Sequence, residues 1–222
     1  MEKEKNKTGE SIKKFPGKET RYHPGIELEY NEEVISARNC EDRFSLIFNF
    51  LIKNGVDIKE KSILDIGSNS GYFVNKFYNH SSNSYGVEIS KRATDLCINM
   101  YPNLEGNIHN EDFLQMMDRE GPFDIVLFMS LLHRYILKKK DYVEIIKTVE
   151  KNTKDFLFFE MGQEHEDWYK NSLSGWNKEK IQELILENTS FNFCEYLGKD
   201  SDSTGEFEGN FGRDLFVCYR TG

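Results

Sequence analysis

Residues 63–73, Ile63-Leu64-Asp65-Ile66-Gly67-Ser68-Asn69-Ser70-Gly71-Tyr72-Phe73, constrain the fold more than any other stretch. Ile63, Leu64 and Ile66 form a short apolar run with β-branched character, as a parallel strand covered on both faces requires. Gly67 and Gly71 allow tight turning and close backbone approach, and Ser68, Asn69 and Ser70 can satisfy free amides where a helix begins. A strand that ends in such a turn predicts a ligand at the carboxyl edge of an open α/β sheet. Asn69 stands where a dinucleotide fingerprint has its second glycine, so a pyrophosphate is not the expected ligand.

The segments that follow extend the pattern. A helix is expected over about 39–54, with Phe44, Ile47, Phe48, Leu51 and Ile52 at helical spacing. Residues 84–88 predict a second strand that ends in Glu88, about 20 residues past the glycine turn, where a carboxylate can accept hydrogen bonds from a ribose diol. Ser90 is placed to cap the next helix, in which Ala93, Leu96, Cys97 and Met100 face inward. After a third strand expected over 104–109, Asp112 and Phe113 pair a carboxylate with an aromatic wall, a combination suited to adenine. Gly121-Pro122 turns the chain into the central strand 123–128, which continues through Met129, Ser130, Leu131, Leu132 and His133. A helix over 141–152 and a fifth strand over 155–160 then bring Glu160 to the rim that holds Asp65, Glu88 and Ser130. A loop spans 161–176, Asn177 caps a further helix, and two late strands at 191–197 and 215–220 flank a polar, glycine-rich segment from 200 to 212.

The Asp-x-Gly-x-x-x-Gly sequence at Asp65, Gly67 and Gly71 resembles motif I of class I S-adenosylmethionine-dependent methyltransferases. Asp112-Phe113 is similar to the adenine-contacting motif of that class, and the run from Phe123 to His133 to its motif IV. The resemblance covers about residues 39–220. It implies a three-layer, Rossmann-like, seven-stranded α/β sheet of order 3-2-1-4-5-7-6 with the last strand antiparallel. It also implies S-adenosylmethionine as cofactor and S-adenosylhomocysteine as product. The cofactor would then be held by Asp65, Gly67, Ser68, Asn69, Gly71, Tyr72, Phe73, Glu88, Ile89, Asp112, Phe113, Met129 and Ser130.

For the acceptor, Ser130-Leu131-Leu132-His133, Phe159-Glu160-Met161 and Gly212-Arg213-Asp214 together resemble the methyltransferase module of bacterial enzymes that cap O-antigen polysaccharides on a terminal phosphate. A more distant similarity is to the methylphosphate capping enzymes of small RNAs. That resemblance implies an anionic oxygen met by cations, Arg213 first, with Arg134, Arg43 and Arg21 as partners and Tyr22 or Tyr135 as hydrogen-bond donors. A sugar hydroxyl of a glycan or a small metabolite is the other oxygen acceptor expected. The chain lacks the kinase and coiled-coil parts of the polysaccharide enzymes. The competing expectations are an RNA or small-molecule O- or N-methyltransferase with His133 as base and Glu160 as second choice, and a catalytically silent cofactor-binding subunit.

Composition narrows the classes. The 222-residue chain carries 29 Lys+Arg against 38 Asp+Glu, a formal charge of −9, which argues against wholesale binding to nucleic acid. No apolar run approaches the roughly 18 residues of a membrane span. Cys40, Cys97, Cys194 and Cys218 are dispersed, as reduced cytoplasmic thiols are, and no metal site is expected. Residues 1–20 are rich in Lys and Glu and predict a flexible arm, leaving 21–222 as one domain. Lys138, Lys139 and Lys140 are expected to be a solvated loop.

Overall fold

The computed structural model describes residues 40–167, 169–200 and 212–221. The expected arm over 1–20, Arg21, Tyr22, and the greater part of the 200–212 segment lie outside the described residues. The parallel strands β1 (Ile63–Ile66), β2 (Ser84–Val87), β3 (Ile108–His109), β4 (Phe123–Met129) and β5 (Thr153–Glu160) alternate with helices. They are followed by β6 (Phe193–Lys199) and β7 (Asp214–Tyr219), and the seven strands lie in the order 3-2-1-4-5-7-6. β7 is antiparallel to both β5 and β6. This is the sheet that the sequence predicts.

The alternation of side chains along each strand divides the core into two layers. Leu64, Ile66, Val126, Phe128, Leu157, Phe159 and Phe216 pack on one face with α4 (Phe113–Glu120), α6 (Tyr142–Lys151) and α7 (Lys178–Asn188). Ile63, Ile125, Leu127, Phe158, Leu215 and Val217 pack on the other with α1 (Cys40–Lys53) and α2 (Tyr72–Tyr78). The third helix on that side, α3 (Lys91–Met100), covers the sheet beyond α2 through Cys97, which meets Val74 and Leu104. β1 is buried at every position, which is why its sequence is nearly continuous in apolar residues.

Two elements differ from expectation. The third strand, expected over 104–109, is confined to Ile108–His109, because Pro102 opens a 3-10 turn and Gly106 turns the backbone at φ +92°. The segment after β4 turns sharply at Ser130 and becomes a short helix, α5 (Leu132–Leu137), where the strand was expected to run on through His133. Its first residues carry no side-chain cap, so nothing polar in the sequence marks its start.

Gly71 illustrates how tightly the central turn is packed. Its φ of +79° suits glycine, and an added Cβ would lie 2.1 Å from Cys97 Sγ. Gly106 has a similar conformation, φ +92°, with nothing within 4 Å of the same position. We therefore expect Gly106→Ala to lower stability by about 1–2 kcal/mol, the backbone contribution alone. Gly71→Ala should lose clearly more, by about 1–3 kcal/mol of added overpacking, a contrast that urea unfolding curves of the two variants would test.

Candidate active site

The carboxyl ends of β1, β2, β4 and β5 form one rim. At β1 the chain passes into the turn through Gly67, whose N–H donates to Val87 O at 2.8 Å, fastening the turn to the end of β2. Leu131, which follows β4, lies over Gly67 so closely that a Cβ there would be 2.8 Å from its Cδ1. The turn also holds Asn69 at φ +50° and directs its N–H to Glu88 Oε2 at 3.1 Å. Ser90 N–H donates to the other Glu88 oxygen at 2.8 Å, and Asn110 Nδ2 donates to Glu88 O. Glu88 is thus fixed by backbone amides from both sides, which orients its carboxylate while leaving acceptor capacity.

Asp65, Ser68 and Ser70 are buried, and Asp65 Oδ2, Ser68 Oγ and Ser70 Oγ have no hydrogen-bond partner among the described residues. Buried polar atoms are almost always paired, so a cluster of unpaired ones at a strand end is what a site for a polar ligand requires. Burial raises the Asp65 carboxyl to about 8, helped by the negative charge of Glu88 and opposed by Arg43. Cys97 is likewise raised to about 12, mainly by burial and secondarily by Asp65.

Other expected cofactor residues take different positions. Asp112 caps α4, its Oδ1 accepting from Leu114 N at 2.9 Å, so its second oxygen is the one placed for a ligand. Phe113 packs into the core, with its ring centroid 6.0 Å from that of Phe128. Ile89 is 73% exposed beside Glu88 and is the apolar side chain available on that stretch of rim. Tyr72, Phe73 and Met129 are buried in the α1–α2 layer, and Tyr72 OH donates to Glu41 Oε2.

At the ends of β4 and β5 lies a buried ionic ring. Glu160 is fully buried and accepts from Arg43 Nη1 at 3.1 Å, from Arg213 Nη1 at 3.1 Å and from Ser130 Oγ at 2.9 Å. Arg213 donates twice to Glu166, from Nε at 2.8 Å and from Nη2 at 2.7 Å, and once to Ser130 Oγ at 2.9 Å. Gln163 and Asp214 close the ring through paired bonds of 2.7 and 2.8 Å. Arg213, expected to grip an acceptor phosphate, is held by carboxylates inside the protein. Four of its N–H···O bonds go to protein groups, and it is 3% exposed. Arg43, expected to bind substrate, is likewise 1% exposed and held by Glu160 and Cys40 Sγ. Glu160, expected as a second base, has both oxygens engaged by cations.

Ser130 joins the ring to the rim. It stands at φ +60°, a conformation rare outside glycine, and its hydroxyl bonds Glu160 and Arg213 of the ring. His133 lies just beyond it on α5 and is buried. Arg134 is exposed on the same helix, and Tyr135 is half-buried, its ring edge-on to Phe113. Burial and the charge of Asp112 raise the Tyr135 phenol above its ordinary range. Sequence alone gave no role to Glu166, Gln163 and Asn110. Only the acidic, aromatic composition of the 161–176 loop hints at Glu166. Among the described residues no group of His, Cys, Asp and Glu could hold a metal ion.

Comparison with known proteins agrees with this geometry. A family described as "Methyltransferase domain" matches residues 64–155, from β1 into β5. The structure is similar to that of the bifunctional kinase-methyltransferase WbdD, with a TM-score of 0.62, 16% identity, 83% of this chain covered and 40% of that chain. A monomeric form of WbdD gives 0.64 at 15% identity over 90% of this chain and 46% of that one. Magnesium protoporphyrin IX methyltransferase (ChlM) from Synechocystis PCC 6803 with bound S-adenosylmethionine gives 0.59 at 13% identity, over 81% of this chain and 78% of that one. The present chain therefore spans less than half the length of the WbdD chains. No curated protein matches by sequence. The match over residues 64–155 and the 3-2-1-4-5-7-6 strand order are those of a methyltransferase domain with the Rossmann-like sheet.

Two outcomes follow from the site. Replacing Arg213 by Met removes the cation shared by the buried carboxylates of Glu160 and Glu166 and should lower stability by about 3–5 kcal/mol in urea unfolding. The second concerns pH. Asp65 holds its proton more tightly folded than unfolded, so its contribution is present in full below about 3.8 and is lost as pH rises through about 8. Asp65→Asn, which cannot ionise, should gain stability relative to the ligand-free wild type across that window. A parallel pH dependence of the two urea midpoints would contradict this.

Proposed function

We propose that this methyltransferase transfers its methyl group to an oxygen acceptor that is already ionised, with a phosphate on a glycan or small metabolite as the acceptor class. The observation that carries the proposal is the state of Glu160: it is fully buried, and Arg43, Arg213 and Ser130 occupy both of its oxygens. A carboxylate so held stabilises neighbouring cations and is poorly placed to take a proton from a neutral hydroxyl. The pairing of kinase and methyltransferase in WbdD supports a phosphorylated acceptor.

In this proposal Asp65, Ser68 and Ser70 supply the unpaired polar atoms for the cofactor, Glu88 accepts from its ribose, and Asp112 accepts from its base. Gly67 and Gly71 keep the backbone close to it, with Asn69 and Ile89 at its edge. The bound sulfonium supplies a methyl group that is already activated, so alignment and exclusion of water are the main tasks left to the protein. Ser130 shapes the floor of the acceptor site, and the ionic ring fixes Ser130. Arg134 meets the anionic acceptor, with Tyr135 beside it on α5. Arg134 is exposed and has no carboxylate partner among the described residues, unlike Arg119, which pairs with Glu111 and Glu120. We also place the protein in the cytoplasm, where its four buried cysteines stay reduced. No helix among the described residues is long and apolar enough to cross a membrane.

Calorimetry with S-adenosylmethionine should show affinity lowered about tenfold or more in Glu88→Ala, in line with the loss of charged hydrogen bonds. Arg134→Ala should leave that affinity unchanged and reduce kcat/KM for phosphorylated sugars in a radiolabelled methyl-transfer assay. Equal rates on phosphorylated and unphosphorylated sugars would refute the acceptor class.

A further inference from the structure

His133 is the other residue from which base catalysis could be expected, and its surroundings define its protonation. The Gly162 N–H donates to His133 Nδ1 at 3.0 Å. A backbone amide is only ever a donor, so Nδ1 must present its lone pair, and the proton of the neutral ring resides on Nε2. The contact is built rather than incidental. His133 is 2% exposed, and its ring lies 5.1 Å from that of Tyr169, with the planes inclined at 56°. Gly162 fits between them because it has no side chain: a Cβ there would sit 2.7 Å from Tyr169 Cε2 and 3.1 Å from His133 Cγ.

We propose that His133 is locked as the Nε2–H tautomer and serves as a positioning residue that clamps α5 to the segment leaving β5, rather than as the base of the reaction. For Nδ1 to take a proton, the Gly162 bond would have to break inside a packed interior. For Nε2 to take one, the ring would have to present a lone pair that the neutral tautomer does not have there. The clamp joins two parts of the acceptor side of the site. α5 carries Arg134 and follows Ser130, while Gly162 leads into the loop that contains Gln163 and Glu166. His133 therefore holds the cation proposed to meet the acceptor at a fixed distance from the ring that fixes Ser130. The inference rests on the proposed function only in naming what the clamp positions. The tautomer itself is a property of the protein without ligand.

Long-range proton–nitrogen correlation on the full chain, uniformly labelled with nitrogen-15 and free of cofactor, tests the tautomer directly. The expected pattern has Nδ1 as the unprotonated, acceptor nitrogen and Nε2 as the protonated one at neutral pH. An Nδ1–H pattern, or the averaged shifts of a ring exchanging between tautomers, would overturn the proposal whatever the acceptor proves to be. The second arm separates a clamp from a base by rescue. Asn can accept the Gly162 N–H through its amide oxygen but cannot titrate, whereas Leu can do neither. With S-adenosylmethionine and phosphorylated sugars as probes, His133→Leu should lose at least tenfold in kcat/KM, and His133→Asn should recover most of that loss. Gly162 amide exchange should be protected in the wild type and the Asn variant, and faster in the Leu variant. An Asn variant as inactive as the Leu variant, with Gly162 still protected, would restore the base and refute the clamp.

Discussion

The contact on which the site depends most is the one between Glu160 and its two arginines. A carboxylate with no solvent exposure is tolerable only when its charge is matched and its lone pairs are filled, and here both conditions are met by residues from distant parts of the chain. Arg43 comes from α1, Arg213 from the start of β7, and Ser130 from the end of β4. Arg213 in turn needs Glu166 to use its remaining donors. Each member removes an unsatisfied group that its neighbour would otherwise leave. The ring thus converts an unfavourable burial of charge into a rigid base for Ser130, whose backbone could not hold φ +60° without support from outside its own segment.

Much of the fold was legible because local signals agreed with one another. β1 and β4 are apolar and bounded by glycine or proline, Ser90, Asp141 and Asn177 cap the helices they precede, and strand succeeds helix in a regular alternation. The glycine turn and Glu88 could be located for the same reason: a short-range pattern places each of them. Where local signals fail, the sequence misleads. α5 begins at Leu131 and Leu132 without a polar cap, so it is indistinguishable from a prolonged apolar strand. Asp112 and Phe113 matched a ligand-binding pair, although Asp112 also caps α4 and Phe113 is packed against Phe128. A carboxylate before an aromatic serves either purpose, and only tertiary packing decides the balance between them.

The cations show the limit most clearly. Arg213, Arg43 and Arg134 are chemically identical in a sequence, and each could bind phosphate equally well. Burial separates them: the first two meet carboxylates inside the protein, while Arg134 stays at the surface of α5. Nothing near Arg213 in the chain announces Glu166 or Glu160, which lie 47 and 53 positions away. Residue type shows that such a pairing is chemically available, and only the fold shows that it is made.

The reversal of β7 has a consequence for how the molecule assembles. Because this strand runs against its neighbours, its first residues lie at the same edge of the sheet as the last residues of β5. The ionic ring is therefore completed by Arg213, just ahead of the last strand of the sheet, in company with a helix that precedes the whole sheet. Contacts of such long separation form late, after the loops between them have been closed. During synthesis the parallel strands can pair well before Arg213 has emerged, with Glu160 and Glu166 still hydrated. Arrival of β7 then brings Arg213 to both carboxylates at once.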